Sequence, residues 1–500
     1  MSLMRYWFSA PLVSTSPLHS SGLDEEVDRT PDLDQERTAV PRSFSRTVNG
    51  IPSLSGRSVK GALRSAMKRC FPSEEERFKP LWGSLDAASP LTIHPIALSD
   101  VCTGENLLLR DGIAVDRYWG TAGHGALFQH EVAPAGVPLL LSISAQASSR
   151  PDIEGGVSPR LVEDFFAHLS AFLDTGRLAF GGRRSVGWGR VKLKDDTQVS
   201  CRRADLGSRK GLIALHRGGD DVELNFVPRP PASDRISIDI AWTSPSGILI
   251  ASGAFRDEGA PDAPEITRPL HMNDAASPFV IPGSSIRGAL RARCSRIART
   301  IIADGDELQI DDWADLEVHE QLRRDPVLVR ILFGDTGVKG ALSVLDTLSQ
   351  GRSSKRQTHN AGDRFSGGVV DGLLYTEEIP GDGWNEIRLE IDTDLLARLD
   401  SPDQEPDYSR AALCLLGLAL AELASGALPI GSRGTRGLGE VRVKALNVDG
   451  PEELIGQPWR ISSMGDPRGT AEEILARLQG INELLPSGSW SLYLHEGNGQ

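Results

Sequence analysis

One pattern occurs twice in this chain, as SGRSVKGALRSAMKR at residues 55–69 and as PGSSIRGALRARCSR at residues 282–296. Each copy begins with serine or proline and glycine, which suit a capped helix start, and continues with good helix formers. Basic residues recur in step with the helical turn. Lys60, Arg64 and Lys68 therefore share one face, and Arg287 and Arg291 repeat the first two of those positions. The pattern predicts a basic helix in each half of the chain.

Four further segments recur around this helix in the same order. They are Thr-Ser-Pro at 15–17 and 243–245, LWGS at 81–84 and LFGD at 332–335, DRYWGTAGHGALFQHE at 116–131 and DRFSGGVVDGLLYTEE at 363–378, and GRLAFGGRRSVGWGRVKL at 176–193 and GALPIGSRGTRGLGEVRV at 426–443. Collinear repeats of this kind indicate an internal duplication. A chain of 500 residues is also too long for one core.

The duplication sets the expected domain boundaries. The first domain is predicted at residues 1–200, a linker at 201–234, the second domain at 235–450 and a C-terminal extension at 451–500, with one helix pattern at 470–485. Within each copy the pattern reads as strand, loop, basic helix, hairpin, second helix, glycine-rich turn and final strand. This order predicts an α+β fold of two tandem ferredoxin-like (RRM-like) domains with inserted hairpins.

Composition restricts the class of protein. The formal net charge is −14 and the pI is near 5.3, which argues against coating nucleic acid by charge alone. The sequence has no apolar run long enough for a membrane span, and no signal peptide is expected. The five cysteines are widely spread without zinc spacing, so we expect a cytoplasmic protein with no structural metal site.

The glycine-rich segments are candidates for backbone contacts to nucleic acid. Their residues are Gly181, Arg183 and Arg184 in the first copy, and Gly431, Arg433 and Arg436 in the second. Each segment follows a helix and precedes a strand, the reverse of a dinucleotide fingerprint, and neither ends as a P-loop does. Glycines and arginines of this kind suit a sugar-phosphate chain. The alternative is a tight turn against the sheet, just as the basic helix face has the alternative of being merely solvated.

The predicted hairpins carry an arginine and an aromatic residue at their tips. Arg117 precedes Tyr118 in the first copy, and Arg364 precedes Phe365 in the second. Such tips are able to stack on bases. A plain hairpin with a local Asp–Arg pair is the alternative.

Together, PGSSIRGALR, LFGD, HNAGDRFSGGVVDGLLYTEE and IGSRGTRGLG resemble the repeat-associated (RAMP) superfamily, in particular the backbone subunits of type III CRISPR–Cas effector complexes. The resemblance covers roughly residues 8–195 and 236–446, and SGRSVKG departs from the usual PGSSxKG. A tandem of two such domains resembles the fused backbone proteins of the type III-D branch. The resemblance implies an RNA-binding subunit for antiviral defence, with three kinds of partner: CRISPR guide RNA, complementary target RNA and other type III effector subunits. The thumb hairpins, which interrupt the guide–target duplex, would be residues 113–131 and 360–378.

Some members of this family cut target RNA with a loop aspartate aided by a divalent ion. Counting back from the helix blocks to the usual position leads to Ala39 and Ile266, which are not acidic. Asp34 and Asp262 are the acids in best register, and Mg²⁺ would be the cofactor of such an endoribonuclease. The alternatives are a scaffold without chemistry and an endonuclease that processes guide RNA. The latter needs a His/Tyr/Lys set that does not assemble from this sequence.

Overall fold

The computed structural model describes residues 3–21, 42–98, 107–148, 150, 156–231, 234–255, 266–303, 316–335, 337–381, 383–400, 407–462 and 466–483. These residues belong to two compact units. Unit 1 comprises Met1–Gly112, Leu127–Arg184 and Trp188–Ala232, and unit 2 comprises Ile113–Ala126, Ser185–Gly187 and Ser233–Gln500. The turn of the first hairpin is therefore counted with unit 2.

The described part of the chain up to residue 231 forms strands of different lengths and four α-helices. The strands are β1 (Leu3–Ser14), β2 (Ser53–Leu54), β3 (Leu91–Ile93), β4 (Ile96–Ala97), β5 (Leu108–Val115), β6 (Ala122–Val132), β7 (Pro138–Ser148), β8 (Leu178–Ala179), β9 (Arg190–Leu193), β10 (Ser200–Asp205) and β11 (Asp220–Asp221). The helices are α1 (Gly56–Cys70), α2 (Glu75–Trp82), α3 (Pro159–Leu173) and α4 (Arg209–His216), with 3-10 turns at Pro72–Glu74 and Arg184–Val186.

From residue 234 onward the same kinds of element recur. The strands are β12 (Arg235–Thr243), β13 (Ala251–Phe255), β14 (Ile266–Pro269), β15 (Val280–Ile281), β16 (Leu342–Val344), β17 (Thr347–Leu348), β18 (Ser354–Gly362), β19 (Val369–Pro380), β20 (Ile387–Asp392), β21 (Arg442–Asp449) and β22 (Trp459–Ser462). The helices are α5 (Gly283–Ala303), α6 (Val318–Arg323), α7 (Val327–Phe333), α8 (Thr393–Leu396), α9 (Tyr408–Ala424), α10 (Glu452–Ile455) and α11 (Pro467–Asn482), with 3-10 turns at Ala397–Leu399 and Gly434–Arg436.

The main sheet of unit 1 is antiparallel and centred on β1. Along one edge β1 pairs with β7, which pairs in turn with β3, and its other edge is shared by β9 and β10. Residues of β1 alternate in burial, with Tyr6 and Phe8 almost completely buried. Phe8 stacks on Phe166 of α3 at a centroid distance of 4.9 Å. The period-two pattern of β1 thus supplies one face of the core.

The main sheet of unit 2 repeats the central strand order of the sheet in unit 1. Its strand order is β16–β20–β12–β21–β22, and all of its pairs are antiparallel. Helices α5 and α9 follow the first and third strands of the motif, as α1 and α3 do in unit 1, which is the ferredoxin-like order. Helix α9 is apolar all round because it also contacts α7 and α11. The predicted α+β fold in two repeated regions is confirmed.

Equivalent glycines have the same packing role in both units. A Cβ on Gly56 would lie 2.2 Å from the carbonyl oxygen of Ile93, and a Cβ on Gly283 would lie 2.1 Å from that of Val344. The glycine at each helix start is therefore required by the close approach of the helix to a neighbouring strand. A ligand is not needed to explain it.

The segments predicted as linker and extension contain regular structure. Residues of the predicted linker form β10, α4 and β11, and β10 pairs with β1 from Met4 to Ser9. In the predicted extension, β22 pairs with β21, and α11 packs against α9. The helix predicted at 470–485 is observed as Pro467–Asn482. Among the described residues, no helix has the length and apolarity needed to cross a membrane.

Candidate nucleic-acid interface

Helix α1 presents a basic face at the surface of unit 1. Ser55 caps the helix by accepting a hydrogen bond from the N–H of Ser58. Val59 and Leu63 are buried, which leaves Arg64 exposed on the opposite face. Burial of its stem, followed by the nearby charge of Arg64, lowers the pKa of Lys60. Lys68 is exposed but pairs with Glu75 at 2.7 Å. The predicted basic face exists here and is open to solvent.

The same helix positions in unit 2 are engaged with protein. Arg287 donates to the carbonyl oxygens of Leu342 and Phe333, at 3.2 and 2.6 Å. Arg291 donates from Nε and from a terminal nitrogen to one carboxylate oxygen of Asp325, at 2.9 and 2.7 Å. The Asp325 side chain is completely buried. These arginines fix α5 to the segment that contains α7.

Arg117, at the tip of the first hairpin, also contacts Asp325, at 2.5 Å. Its backbone N–H donates to Gln321, and the Gln321 amide donates to Asp116 at 3.1 Å. The Ser295 hydroxyl donates to the Asp325 carboxylate at 2.7 Å. The tip is thus held within unit 2 by a buried polar network, and the Arg117 side chain is only 9% exposed.

The tip of the second hairpin has the same local turn but lies in solvent. Asp363 accepts hydrogen bonds from the N–H groups of Phe365 and Ser366, as Asp116 does from Tyr118 and Trp119. The bond from the Phe365 N–H, followed by that from the Ser366 hydroxyl, lowers the pKa of Asp363. Arg364 is exposed, and Phe365 is fully exposed.

The two glycine–arginine turns share an unusual backbone. Arg183 and Arg433 have φ values of 56° and 65°, in the left-handed region that few residues other than glycine adopt. A Cβ on Gly181 would lie 2.0 Å from the carbonyl oxygen of His19, and one on Gly431 would lie 2.9 Å from that of Leu249. Both segments are therefore tight turns packed against the chain that follows the first strand of their unit, and each holds its arginine on a fixed backbone.

In unit 2 the arginines of this turn have an acidic partner. Arg433 pairs with Glu377 at 2.5 Å, and the nearest nitrogen of Arg436 lies 3.7 Å from the same carboxylate. Arg436 also donates to the Tyr375 hydroxyl at 2.6 Å. The Glu377 side chain is 1% exposed, and a ring nitrogen of His359 lies 3.5 Å from it. A carboxylate of the same unit therefore offsets part of the positive charge of this turn.

In unit 1 the residue that corresponds to Glu377 is His130, because the segments 116–131 and 363–378 align without a gap. Arg183 lies over the rings of Phe128 and Trp188, at 5.2 and 5.0 Å from their centroids. The His19 and His130 rings meet edge to face at 4.9 Å. Burial, followed by the charges of Arg183, His19 and Arg42, lowers the pKa of His130 to about 4. Arg184 donates to the carbonyl oxygen of Gly181.

The sequence model of the RAMP superfamily matches residues 12–192 and 244–442, one region in each repeat. The chain belongs to the RAMP superfamily. One similar solved structure is a chain of a type III-B Cmr-beta complex in the apo state, determined by cryo-EM. It shares 13% identity and covers 39% of this chain and 98% of its own length, with a TM-score of 0.27. No curated protein matches this RAMP chain.

The acids predicted for catalysis, Asp34 and Asp262, lie outside the described residues. Asp274, between β14 and β15, is exposed and accepts a hydrogen bond from the N–H of Ala276. Within the described ranges of this RAMP protein, no three histidine, cysteine or acidic side chains form a group able to hold a metal ion.

Several residues that shape the site were not identified from the sequence. Asp325 lies outside the recurring blocks, so no pattern marks it. The difference between His130 and Glu377 is visible in the aligned repeats, but it becomes informative only once both are known to face the turn arginines. His19 also lies outside the recurring blocks, and its contact with His130 is visible only in the structure.

Proposed function

We propose that this RAMP protein is a backbone subunit of a type III CRISPR ribonucleoprotein, where it binds guide RNA and holds the guide–target duplex. The observation that carries the proposal is the hairpin of β18 and β19, whose tip exposes Phe365 completely beside the exposed Arg364. A fully exposed aromatic side chain contributes nothing to a core, whereas next to a cation it is well suited to stack on a base near a phosphate.

The predicted RNA contacts divide into two groups according to what their side chains already bind. We propose that RNA is contacted by Lys60, Arg64, Lys68 and Arg364 on the open surfaces, and by Gly181, Arg183 and Arg184 of the partly buried turn in unit 1. We propose structural roles for those engaged within unit 2, namely Arg117, Arg287, Arg291, Gly431, Arg433 and Arg436.

The acidic total charge makes the partners part of this proposal. With a net charge of −14, the chain alone gains little from counterion release on RNA. We propose that neighbouring type III effector subunits, in the cytoplasm, complete the groove that holds the guide. Binding of RNA to the isolated chain should therefore be weak and sensitive to salt.

The proposal is tested with the full chain co-expressed with a CRISPR array and the neighbouring effector subunits. Sequencing of the co-purified RNA should recover transcripts of the array. The double variant Arg64→Glu with Arg364→Glu should lower RNA occupancy several-fold because it reverses two exposed charges. Arg160→Glu is the matched control, since Arg160 is a highly exposed arginine of α3 outside the proposed surfaces. An assembly without array RNA, or equal occupancy in all three proteins, would refute the proposal.

Target cleavage is a separate part of the proposal, in which Asp34 or Asp262 is the acid and Mg²⁺ the ion. The alternative is the same scaffold without chemistry. The reconstituted complex should cut a labelled target RNA with Mg²⁺ and lose individual cuts in Asp34→Ala and Asp262→Ala. Cleavage at unchanged sites in the double variant would exclude both acids, and a wild-type complex that does not cut would favour the scaffold.

A further inference from the structure

The two glycine–arginine turns differ in how their charge is balanced. We infer that the turn of unit 1 is an anion site, in which Arg183 takes a phosphate oxygen at the place where unit 2 supplies its own carboxylate, Glu377. This inference rests on the proposed function for the identity of the phosphate as part of an RNA chain. It adds that only one of the two repeats binds phosphate through this turn.

The guanidinium of Arg183 is fixed before any ligand arrives. Its backbone is held by the left-handed turn and by the packing of Gly181 on His19. Its side chain lies against two aromatic rings, Phe128 and Trp188. Its Nε atom is buried and has no hydrogen-bond partner among the described residues. A donor that is oriented and unsatisfied is what an anion site requires.

His130 provides a second unsatisfied group beside the first. The residue is 3% exposed, and its Nδ1 atom has no hydrogen-bond partner within the part of the chain that the structure describes. A buried polar atom without a hydrogen-bond partner destabilises the folded protein. A ligand that forms a hydrogen bond with this atom therefore gains binding free energy.

The surrounding charges are cationic. Arg42 is exposed, and its charge acts on both histidines and on Arg183. Burial lowers the pKa of Arg183, and the charge of Arg42 lowers it further. Glu131 is the neighbouring acid, but its carboxylate accepts from the N–H of Phe44 at 2.8 Å and from Arg46 at 3.1 Å.

His19 is held by the opposite side of the cluster. Its Nδ1 atom lies 2.8 Å from the carbonyl oxygen of Glu131, so Nδ1 carries the proton in the neutral ring. Its Nε2 atom lies 3.2 Å from the Ser21 hydroxyl. Burial lowers the pKa of His19, opposed by this bond to Glu131. The two histidine rings are therefore neutral at pH 7, and the positive charge of this cluster comes from Arg42 and Arg183.

The energetic argument follows from comparing the units. In unit 2 the turn arginine has a carboxylate partner, because the buried Glu377 pairs with the partly exposed Arg433. Unit 1 has a histidine instead of that carboxylate, and its pKa of about 4 leaves the ring neutral at pH 7. A bound anion would offset the charge of Arg183 in unit 1, as Glu377 offsets the charge of Arg433 in unit 2.

The experiment uses the full chain with ¹⁵N-labelled histidine and inorganic phosphate as the probe, at constant ionic strength against chloride. Phosphate should shift the ring signals of His19 and His130 and raise the pKa of His130, because it offsets the positive charges nearby. Arg183→Gln should weaken the apparent affinity about tenfold by removing a charged donor. Arg433→Gln, the matched control in unit 2, should leave the phosphate response unchanged.

His130→Glu tests the inference from the other direction. It introduces the acid of unit 2 and should abolish the phosphate response at His19. If phosphate does not shift the signals of either histidine in the wild-type chain, the inference fails whatever the variants do, and so a folding defect cannot rescue it.

The source of the phosphate group is decided with a single-stranded RNA oligonucleotide. RNA should shift the same signals at a far lower concentration than inorganic phosphate, and Arg183→Gln should remove those shifts. Shifts with free phosphate but none with RNA would overturn the assignment to a phosphodiester. Array RNA in the co-purified complex, together with unshifted histidines, would sink this inference and leave the proposed function standing. Histidine signals that shift with phosphate, together with a complex that carries no RNA, would refute the proposed function and leave the anion site standing.

Discussion

Arg291 donates two hydrogen bonds to the buried carboxylate of Asp325, whereas Arg64, its counterpart in the first repeat, is exposed. Identical residues at identical repeat positions thus have different surroundings. In unit 2 the arginine is part of a network that also contains Ser295 and Arg117. In unit 1 it belongs to an open basic face.

Replacement of Arg291 by glutamine should therefore destabilise the protein, while Arg64→Gln should not. Loss of one partner of a buried ion pair costs about 3–5 kcal/mol, and the lower end applies because Arg117 still pairs with Asp325. An exposed substitution changes the free energy of unfolding by less than about 0.5 kcal/mol. Denaturant unfolding of both variants and of the wild type measures these changes in the free energy of unfolding. A stable Arg291→Gln protein with reduced RNA occupancy would show that Arg291 serves RNA instead.

The helix-start glycines give a second prediction with internal controls. Gly56→Ala and Gly283→Ala should each lower the free energy of unfolding by roughly 1–3 kcal/mol, because the new methyl group meets a strand carbonyl. Gly61 and Gly288 lie five residues further along the same helices in open space, so Gly61→Ala and Gly288→Ala should be neutral or stabilising by up to about 1 kcal/mol. Equal thermal stability of all four variants would contradict the packing role.

The duplicated fold could be predicted from sequence because it depends on patterns that repeat. The helix blocks and the alternating strand of Tyr6 and Phe8 carry their periodicity locally. The balance of charge could not be predicted in this way, because it depends on which side chains the fold brings together. Asp325 meets Arg117 and Arg291 across long sequence separations. Strand β10 could not be predicted for a related reason, since such short strands show little pattern until they pair with a neighbour.

The histidine cluster gives a prediction about pH. His130 has a pKa near 4 in the folded chain, below its ordinary value of about 6.5 when unfolded. Between those values the unfolded state binds more protons, so stability should fall as the pH drops from about 6.5 toward 4, by up to about 1.4 kcal/mol per unit.

Thermal unfolding between pH 7 and pH 5 measures this dependence, and His130→Gln should flatten it. His216→Gln, at an exposed histidine at the end of α4, is the control and should follow the wild type. If His130→Gln and the wild type lose stability in parallel over this range, His130 is not the group responsible.

The exposed hairpin tip gives the last prediction, which concerns RNA alone. Phe365→Ala should leave the free energy of unfolding within about 0.5 kcal/mol of wild type, because a fully exposed ring makes no core contacts. In the assembled complex it should weaken capture of the target RNA by roughly fivefold or more, since stacking of one base contributes about 1–3 kcal/mol. Leu85→Ala removes an equally exposed apolar side chain away from the hairpin and should change neither quantity. Binding curves of a labelled target to the three complexes decide the matter, because a ring that stacks on a base lowers affinity when it is lost, and a ring that only meets solvent does not.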